Sequence, residues 1–573
     1  MSTTTVVRRA VPEEIELPGP PLLARLYAAR GVRSAGELNR ALDALPPPTS
    51  LKGLAAATGL LAAALAEDAR VLFIADFDAD GATACALGVR ALRAFGARHV
   101  DYLVPDRQKH GYGLTPELVE LAAERRPDLL VTVDNGIASV AGVAAAKARG
   151  MRVLVTDHHL PGDELPAADA IVNPNQPGCG FPSRCLAGVG VIFYVMLALR
   201  ATLRARGWYT ACGITEPNLA RLLDLVAFGT VADVVALDHV NRVLVEQGLR
   251  RLRAGACVPG LAALAEVAGR PRERLCTADI GYALAPRLNA AGRIEHMSLG
   301  IECLLADDAG RALELARELD RLNRERREIE DAMKLAAFAD LDALDLDGDL
   351  PFGLCLYDET WHQGVIGILA ARVRERTHRP TIVFAADRDG QLKGSARSVP
   401  GLHIRDALAA VAARAPDLIT RFGGHAMAAG LSLPAAHYAT FRDAFDAEVR
   451  RHLAPGDLCG VLLSDGELGA GEIALELADC LREAGPWGQG FPEPLFDGVF
   501  EVAGCRVLKE RHLKLLVRVP GQAAVFDAIA FGLAETVGEP RAGSRWHLAY
   551  RLDANEWNGS RKVQLRVEYL APA

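Results

Sequence analysis

Residues 71–81 read VLFIADFDADG, an apolar run followed by three aspartates at alternating positions and a glycine. A continuous apolar run of this length is typical of a strand that is buried on both faces of a parallel sheet. Similar runs follow at intervals of roughly 20 to 30 residues, which predicts successive βαβ units and a largely parallel sheet. They are VDYLVPD (100–106), LLVTVD (129–134), RVLVTD (152–157) and DAIVNP (169–174).

Acidic residues and histidines stand where three of these predicted strands end. Since the carboxyl ends of parallel strands line one edge of the sheet, these side chains are expected to converge there. Carboxylates crowded at one edge repel each other unless cations neutralise them. Oxygen and imidazole ligands without thiolates suit Mn²⁺ or Mg²⁺ better than a structural zinc ion. The residues concerned are Asp76, Asp78, Asp80, Asp134, Asp157, His158 and His159.

Asp233 is a further candidate ligand, because it lies in the apolar segment GTVADVV (229–235) and an unpaired carboxylate is costly to bury. Asp224 lies earlier in the same stretch and is expected to cap or orient a neighbour. Two metal ions about 3.5–4 Å apart can clamp the attacking and leaving oxygens of a phosphoryl ester. The predicted chemistry is therefore metal-assisted hydrolysis of such an ester.

Simpler interpretations exist for each of these residues. The pattern Asp-x-Asp-x-Asp-Gly also begins a calcium-binding loop, but that loop requires Glu at its twelfth position, which is Leu87 here. A strand-end aspartate is often only a helix N-cap, and adjacent histidines are often surface residues. The occurrence of such residues at three strand ends favours a shared metal site.

The chain contains no G-x-x-x-x-G-K-[ST] loop and no G-x-S-x-G motif, which disfavours an ATP-driven motor and a nucleophilic serine.

The C-terminal half contains three segments that differ in composition and in predicted secondary structure. Residues 302–350 are helix-favouring and carry 7 basic and 15 acidic residues, which predicts a long connecting helix or, alternatively, a surface helix within one domain. A second α/β pattern follows, with PFGLCLYD (351–358) and TIVFAAD (381–387) as its strands. From about residue 495, five short β-like runs broken by turn residues predict a small β-barrel.

The 573 residues include 64 basic and 72 acidic side chains, a net charge of −8 that disfavours a nucleic-acid partner when taken alone. The excess of acid lies in residues 302–350, whereas residues 361–425 carry 10 basic against 5 acidic residues and residues 499–573 carry 11 against 8. A nucleic-acid partner is therefore compatible with the charge distribution.

Cysteine usage and apolar runs predict a cytoplasmic protein without a membrane partner. The 11 cysteines include no C-x-x-C pair, as expected of buried thiols in a reducing compartment. The N-terminus lacks the apolar run of a signal peptide. The longest strongly apolar stretch, residues 185–199, is shorter than a membrane span.

The motifs DFDADG (76–81), VDNGI (133–137), TDHH (156–159) and GTVADVV (229–235) resemble those of the DHH phosphoesterase superfamily. Further segments are similar to the bacterial single-strand-specific 5′→3′ DNA exonucleases of that superfamily, over about residues 20 to 570. The number, order and spacing of these segments make the resemblance specific. They include VPDRQKHGYGLT (104–115), LAGVGV (186–191), APRLNAAGR (285–293), WHQGVIGILA (361–370), KGSARS (393–398), GGHAMAAG (423–430) and GPWGQGFPEPLF (485–496).

The resemblance implies a multidomain α/β fold. Residues 1–50 would pack as an N-terminal segment on a DHH domain at 51–300, which has a largely parallel sheet. A long connecting helix at 301–345 would lead to a DHHA1 α/β domain at 346–455. An OB-like β-barrel at 456–573 would bind nucleic acid through backbone charge and base stacking. The aromatic candidates for stacking are Phe491, Phe496, Phe526, Phe531 and Trp557, although most aromatics in such a domain belong to its core.

The resemblance also assigns roles by position, with two divalent ions, Mn²⁺ or Mg²⁺, as cofactors. The implied metal ligands are Asp76, Asp78, Asp80, Asp134, His158 and Asp233, with Asp134 as the bridge and Asp76 either a ligand or a support. The implied catalytic residues are Asp78, Asp80, Asp134, His158, His159 and Asp233, with His159 either a ligand or a support. The implied nucleic-acid contacts are Arg107, Arg287, Asn289, Arg293, Ser395, Arg397, Gly424 and His425.

The implied activity is a metal-dependent 5′→3′ exodeoxyribonuclease that releases 5′-mononucleotides from single-stranded DNA in recombinational and mismatch repair. The implied partners are a single-stranded-DNA-binding protein and a RecQ-type helicase, and the chain is expected to be a monomer. One alternative is a phosphodiesterase of short oligonucleotides or cyclic dinucleotides, although such relatives typically end after the DHHA1-type domain. The other is a non-catalytic DNA-binding replication scaffold, which loss of metal carboxylates would mark, whereas all of them are present here.

Overall fold

The computed structural model describes residues 4–12, 15–106, 112–345, 350–387, 390–557 and 560–573. The chain forms two compact units. One contains the residues up to Val7 together with Arg324–Leu463, and the other contains Arg8–Asn323 together with Ser464–Ala573. The first α/β domain and the C-terminal barrel therefore belong to the same unit.

The N-terminal segment contains strand β1 (Thr4–Arg8) and helix α1 (Pro21–Ala28). Sequence analysis predicts that this segment packs on the first α/β domain. Val32 is buried in the core of that domain. Leu26 of α1, however, is buried in the core of the C-terminal barrel, which also contains Phe500 and Val502. The segment therefore contributes to both cores.

Five parallel strands form the sheet of the first domain, and every predicted apolar run contains one of them. The elements are α2 (Leu54–Ala66), β2 (Val71–Ala75), α3 (Ala79–Ala94), β3 (Val100–Leu103), α4 (Pro116–Ala123), β4 (Leu129–Val133), α5 (Val140–Ala148), β5 (Arg152–Thr156) and β6 (Ala170–Val172). The strand order is β3-β2-β4-β5-β6. Phe73 faces one core cluster and Ile74 the other, so that the sheet is covered on both faces, as its apolar runs predict.

A helical subdomain follows the sheet. Its elements are α6 (Gly188–Ala205), α7 (Trp208–Cys212), α8 (Leu223–Ala232), α9 (His239–Arg253), α10 (Pro259–Val267), α11 (Thr277–Asp279), a π-helical turn (Ile280–Leu284), α12 (Ala285–Ile294) and α13 (Ser298–Leu305). Helix α6 has the length and apolar composition of a membrane span, but 61% of it is buried inside the protein. It therefore serves as a core helix that packs against α2, α3 and α8.

The long charged helix, α14, extends over Ala309–Asp345. It begins later than the predicted residue 301 because the chain breaks after α13 and restarts at Asp308, whose carboxylate accepts a hydrogen bond from the Arg311 backbone N–H at 2.8 Å. The boundary between the two compact units falls within this helix, between Asn323 and Arg324.

The second α/β domain has a mixed sheet in the order β10-β11-β9-β8-β7. In this sheet β7 and β8 pair in parallel, whereas the other neighbouring strands pair antiparallel. Its elements are β7 (Leu354–Tyr357), α15 (Ile366–Thr377), β8 (Thr381–Ala386), β9 (Gln391–Arg397), α16 (Ile404–Arg414), β10 (Arg421–Gly424), β11 (Ala428–Pro434), α17 (Tyr438–His452) and β12 (Gly460–Ser464), the last of which pairs with β1.

The C-terminal region is a closed five-stranded barrel in the order β13-β14-β15-β17-β16, which confirms the predicted β-barrel. Its elements are α18 (Leu475–Ala484), β13 (Phe496–Leu508), β14 (His512–Arg518), β15 (Phe526–Ala530), α19 (Ala534–Val537), β16 (Arg545–Trp557) and β17 (Ser560–Pro572). Strands β15 and β17 are parallel, and closure removes the sheet edges.

Candidate metal centre

The three aspartates that follow β2 are positioned by the start of α3. Asp78 is the N-cap of this helix, and its side chain accepts a hydrogen bond from the Gly81 backbone N–H at 3.0 Å. Asp80 lies in the first turn and is fully buried, and Asp76 is buried at the end of the strand. The capping role and a role in a metal site are therefore compatible in this loop.

The N-terminus of α6 holds the Asp80 carboxylate. Its two oxygens accept hydrogen bonds from the backbone N–H groups of Gly188 at 2.6 Å and Val189 at 2.9 Å. A helix N-terminus favours negative charge, and these bonds fix the direction of the carboxylate. Burial and then the charge of Asp78 nevertheless raise the pKa of Asp80 to about 7.

Asp134 lies where β4 ends and adopts a left-handed backbone conformation with φ of 62°. Such a conformation is uncommon for residues other than glycine and is often found at functional sites. The side-chain amide of the next residue, Asn135, donates to the backbone carbonyls of Ile74 at 3.0 Å and Val133 at 2.9 Å, and so ties the ends of β2 and β4 together. Burial, followed by the charges of Asp80 and the neighbouring carboxylates, raises the pKa of Asp134 well above its usual range.

The two histidines after β5 have different surroundings. The Nε2 atom of His158 lies 3.0 Å from Asp134 Oδ1 and 3.5 Å from Asp233 Oδ2. The Nδ1 atom of His159 lies 2.8 Å from Asp157 Oδ1, and its ring is 3.1 Å from the Tyr112 hydroxyl. Burial by itself lowers the pKa of His159, but the hydrogen bond to Asp157 and the charges of Asp157, Asp76 and Asp78 together outweigh burial and raise the pKa to about 9.

These side chains form three interlocking groups, and within each group the candidate ligand atoms lie within 4.8 Å of one another. The groups are Asp134-His158-His159, Asp80-His158-Asp233 and Asp76-Asp78-Asp134. Asp134 and His158 each belong to two groups, which is the arrangement expected of neighbouring ion positions. The donors are carboxylate oxygens and imidazole nitrogens, so this set fits Mn²⁺ or Mg²⁺.

Without metal ions, the protein is expected to be more stable at about pH 6 than at about pH 8.5. The pKa values of Asp80 and His159 are raised in the fold to about 7 and about 9, so at about pH 6 to 7 the folded state keeps an Asp80 proton that the unfolded state has already lost, and above pH 6.5 it keeps a His159 proton that the unfolded state releases. The stability from these protons is lost as the pH rises through the folded-state pKa values. The pKa of Asp157 is lowered and lies outside this window.

Thermal unfolding in EDTA at the two pH values measures this effect. The control is Asp80→Asn, which should reduce the dependence, and added Mn²⁺ should stabilise the protein more at the higher pH. A melting temperature that rises with pH in EDTA would contradict the prediction.

Three glycines allow neighbouring elements to pack tightly against the aspartate ligands, and the sequence alone does not reveal this role. A Cβ atom at Gly188 would lie 2.6 Å from Asp134 Cβ, and one at Gly229 would lie 2.8 Å from Asp80 Oδ1. A Cβ atom at Gly292 would lie 2.0 Å from the Phe77 carbonyl oxygen, so this glycine serves close packing on the aspartate loop. Tyr112, whose hydroxyl contacts the His159 ring, is absent from the predicted site residues, whereas Asp157 is predicted at the acidic edge but not as a ligand. The motifs LAGVGV and GTVADVV contain two of the glycines, but only the fold shows what they touch.

Asp224, by contrast, is absent from the three groups. Its buried carboxylate accepts a hydrogen bond from the Val258 backbone N–H at 2.7 Å and so contacts the chain just before α10.

The predicted nucleic-acid contacts on α12 are partly engaged within the protein. Arg287 forms an ion pair with Asp320 of α14 at 2.9 Å. The side-chain oxygen of Asn289 accepts a hydrogen bond from the Ala79 backbone N–H at 2.8 Å, within the aspartate loop. Arg293 is half-buried, and Arg107 lies outside the described residues.

The remaining predicted contacts lie in the second α/β domain. The guanidinium of Arg397 donates to Ser395 Oγ at 3.2 Å, and both side chains lie against Gly367 near the start of α15. Gly424, with φ of 143°, is exposed at the end of β10, and His425 N–H donates to the Ala428 carbonyl at 2.8 Å. Ser395, Arg397 and a helix N-terminus thus form one polar group in this domain.

Three family models match the domains of the fold. The DHH family N-terminal domain matches residues 70–230, the DHHA1 domain matches residues 351–451 and the RecJ OB domain matches residues 464–569. The chain is 53% identical over 575 residues to the single-stranded-DNA-specific exonuclease RecJ of Dickeya dadantii, and the alignment covers 100% of both chains. The chain belongs to the RecJ family. The RecJ of Escherichia coli is 52% identical over 568 residues, which cover 99% of this chain and 98% of that protein.

The fold is also that of solved RecJ structures. RecJ from Thermus thermophilus in complex with Mn²⁺ has a TM-score of 0.80 and 31% identity, covering 100% of this chain and 80% of that chain. The complex of the same protein with Mg²⁺ has a TM-score of 0.74 and 29% identity. RecJ proteins have therefore been solved with both of the ions that the donor set of this centre fits.

Proposed function

We propose that this chain is a single-stranded-DNA-specific exonuclease that hydrolyses DNA from the 5′ end and releases 5′-mononucleotides. The observation that carries the proposal is the set of three ligand groups, in a chain of the RecJ family. Asp134 and His158 each belong to two of these groups and so connect them. All six implied ligands belong to these groups, which supports catalysis over the replication-scaffold alternative.

Asp134 and His158 link the groups, because Asp76 and Asp78 share one group with Asp134, and Asp80 and Asp233 share another with His158. Two Mn²⁺ or Mg²⁺ ions bound there would activate water and stabilise the oxygens of the scissile phosphodiester. The chain itself fixes the ligands. The N-terminus of α6 orients Asp80, and Asp157 sets the ring orientation of His159.

The proposed anchor for the 5′ end is the polar group formed by Ser395 and Arg397, together with Gly424 and His425. A guanidinium binds phosphate through two parallel hydrogen bonds, and a helix N-terminus favours an anion. Arg107, Arg287, Asn289 and Arg293 are proposed as contacts to the strand. Arg287 and Asn289 would act while they also support α14 and the aspartate loop.

The barrel is proposed to bind the strand beyond the reaction site. Phe491, Phe496 and Phe526 are buried and belong to cores. Phe531 is 59% exposed, and its ring lies 5.3 Å from the His512 ring, which makes it the better candidate for base stacking. The side chain of Trp557 lies outside the described residues.

The test uses single strands labelled at the 5′ or at the 3′ end, beside a blunt duplex, with Mn²⁺ and then with EDTA. Early mononucleotide release from the 5′ label alone, no duplex cleavage and no reaction in EDTA are expected. Endonucleolytic fragments would contradict the proposal. Hydrolysis of dinucleotides with none of a long strand would favour the phosphodiesterase alternative instead.

The proposed setting is the cytoplasm, in recombinational and mismatch repair, with a single-stranded-DNA-binding protein and a RecQ-type helicase as partners and the chain itself as a monomer. These partners would expose and present the single strands on which the centre acts. Size-exclusion chromatography with light scattering tests the monomer, and addition of each partner to the labelled-strand reaction tests the rest.

A further inference from the structure

The chain that follows Asp233 is strained. Val234 has φ of 62° and is 64% exposed. A β-branched residue in the left-handed region is a genuine outlier, and such strain persists only where the surrounding structure holds the backbone in place. Residues 233–237, here called the ligand segment, connect α8 to α9 and begin with a proposed metal ligand. The contacts that hold the ligand segment therefore also help to position the Asp233 carboxylate.

A loop from the barrel side of the chain holds the far end of the ligand segment. This loop, residues 485–491, is here called the aromatic loop. The Leu237 N–H donates to the Gln489 carbonyl at 2.7 Å. A Cβ atom at Gly488 would come within 2.7 Å of Leu237 Cδ1, and one at Gly490 within 3.2 Å of Ala236 Cβ. The two glycines thus let the loop lie directly against the segment.

An arginine completes this contact. The Arg242 guanidinium donates to the Leu237 carbonyl at 3.0 Å and lies 4.4 Å from the centroid of the Phe491 ring. Arginine over an aromatic face is an attractive arrangement, and more so when both groups are buried, as they are here. Both backbone polar groups of Leu237 are therefore fixed by the aromatic loop or by a residue that packs on it.

The same loop contacts a second element of the centre. Thr277 Oγ1 donates to the Trp487 carbonyl at 2.5 Å. Thr277 begins the helical run that leads to Asn289, whose side chain accepts a hydrogen bond from Ala79, between two of the aspartate ligands. The aromatic loop thus contacts both the chain after Asp233 and the helices that support the aspartate loop.

The other side of the aromatic loop is anchored away from the centre. Trp487 Nε1 donates to the Leu481 carbonyl at 2.7 Å, and the Trp487 and Phe491 rings stack with centroids 5.2 Å apart. Arg30 lies 5.3 Å from the Trp487 ring centroid and forms a buried ion pair with Asp465 at 2.8 Å. The loop is therefore fixed by the N-terminal segment and by the start of the barrel region.

We propose that Trp487 and Phe491 are positioning residues for the metal centre, because the aromatic loop fixes the ligand segment and with it the Asp233 carboxylate. The proposal rests on the proposed function only for the identity of the ions. Supporting partners of a metal ligand typically change metal affinity by about 10- to 100-fold. Weaker metal binding is therefore the direct consequence of loosening the loop.

The experiment measures Mn²⁺ binding in the absence of DNA, from the electron paramagnetic resonance signal of free Mn²⁺. Trp487→Leu and Phe491→Leu are expected to weaken the binding of at least one ion by about tenfold. Trp487→Phe, which keeps an aromatic ring in the stack, is expected to restore most of the affinity. The matched control is Phe500→Leu, because Phe500 is equally buried in the barrel core beside Tyr550. This control should lower the melting temperature and leave Mn²⁺ affinity as in the wild type.

Wild-type affinity in a folded Trp487→Leu or Phe491→Leu variant would overturn the proposal, and so would an equal loss in Phe500→Leu. If the leucine variants do not fold, Thr277→Val is used instead, because it removes only the hydroxyl that donates to the Trp487 carbonyl. This variant is expected to weaken Mn²⁺ binding about threefold. Unchanged Mn²⁺ affinity of Thr277→Val would also overturn the proposal. Wild-type protein that binds Mn²⁺ but does not degrade single strands would refute the proposed function and leave this inference standing.

Discussion

Asp134→Asn is expected to reduce the hydrolysis of single-stranded DNA by about 1000-fold or more, since metal ions stabilise the transition state by several kcal/mol. Asp134 belongs to two of the three ligand groups, so its charge is expected to contribute to both of the proposed ion positions. The same substitution is expected to raise the melting temperature in EDTA, because Asp134 is buried among carboxylates whose charges raise its pKa. Activity and metal-free stability should therefore change in opposite directions. Initial rates at saturating Mn²⁺ and thermal unfolding in EDTA measure the two effects.

The control for this variant is Asp163→Asn, a substitution of the same kind at an exposed residue of the same domain. It should leave both the rate and the melting temperature close to the wild type. Undiminished hydrolysis by Asp134→Asn would show that the shared carboxylate is not part of the reaction centre.

Gly188→Ala is expected to lower the rate about 100-fold, although it adds only one methyl group at a residue outside the ligand set. The added Cβ would lie 2.6 Å from Asp134 Cβ and 2.9 Å from Asp134 Cα. The Asp134 backbone cannot shift easily to relieve this contact, because its left-handed conformation is fixed by the hydrogen bond from its N–H to the Thr156 carbonyl at 3.1 Å. Overpacking of this kind typically costs about 1–3 kcal/mol of stability. Rates and Mn²⁺ affinity of the purified variant measure the effect.

Gly190→Ala, two residues further along the same helix, is the matched control. Its Cβ would approach only the flexible Leu186 side chain, at 3.3 Å. Alanine is favoured over glycine in a helix by about 1 kcal/mol, so this variant should be active and no less stable than the wild type. Equal activity of the two alanine variants would mean that Gly188 has no special contact with the centre.

The sheet and its acidic edge are predictable from sequence because each depends on local pattern and one topological rule. The run at 71–75 is apolar at every position, which identifies a strand buried on both faces. Parallel strands then bring Asp80, Asp134 and His158 to one edge whatever the details of the connecting helices. The same reasoning identifies Asp233 from the cost of burying its carboxylate.

The supporting contacts are not predictable in this way, because they join residues that are far apart in the chain. Gly188 meets Asp134 only once α6 is docked on the sheet. The family resemblance predicts Arg287 as a DNA contact, but its ion pair with Asp320 depends on how α12 packs on α14. The beginning of α14 at Ala309 depends on a capping bond of Asp308, a detail that composition does not reveal.

The burial of Leu26 in the barrel core has a consequence for the synthesis of the protein. Leu26 leaves the ribosome well before Leu570, another buried residue of the same core, because the two lie 570 − 26 = 544 positions apart in the chain. At about 5–20 residues per second, the two are separated by roughly half a minute to two minutes. During that interval α1 exposes an apolar face that nothing later in the chain has yet covered. Chaperones are therefore expected to bind this face of the nascent chain until the barrel strands have been synthesised.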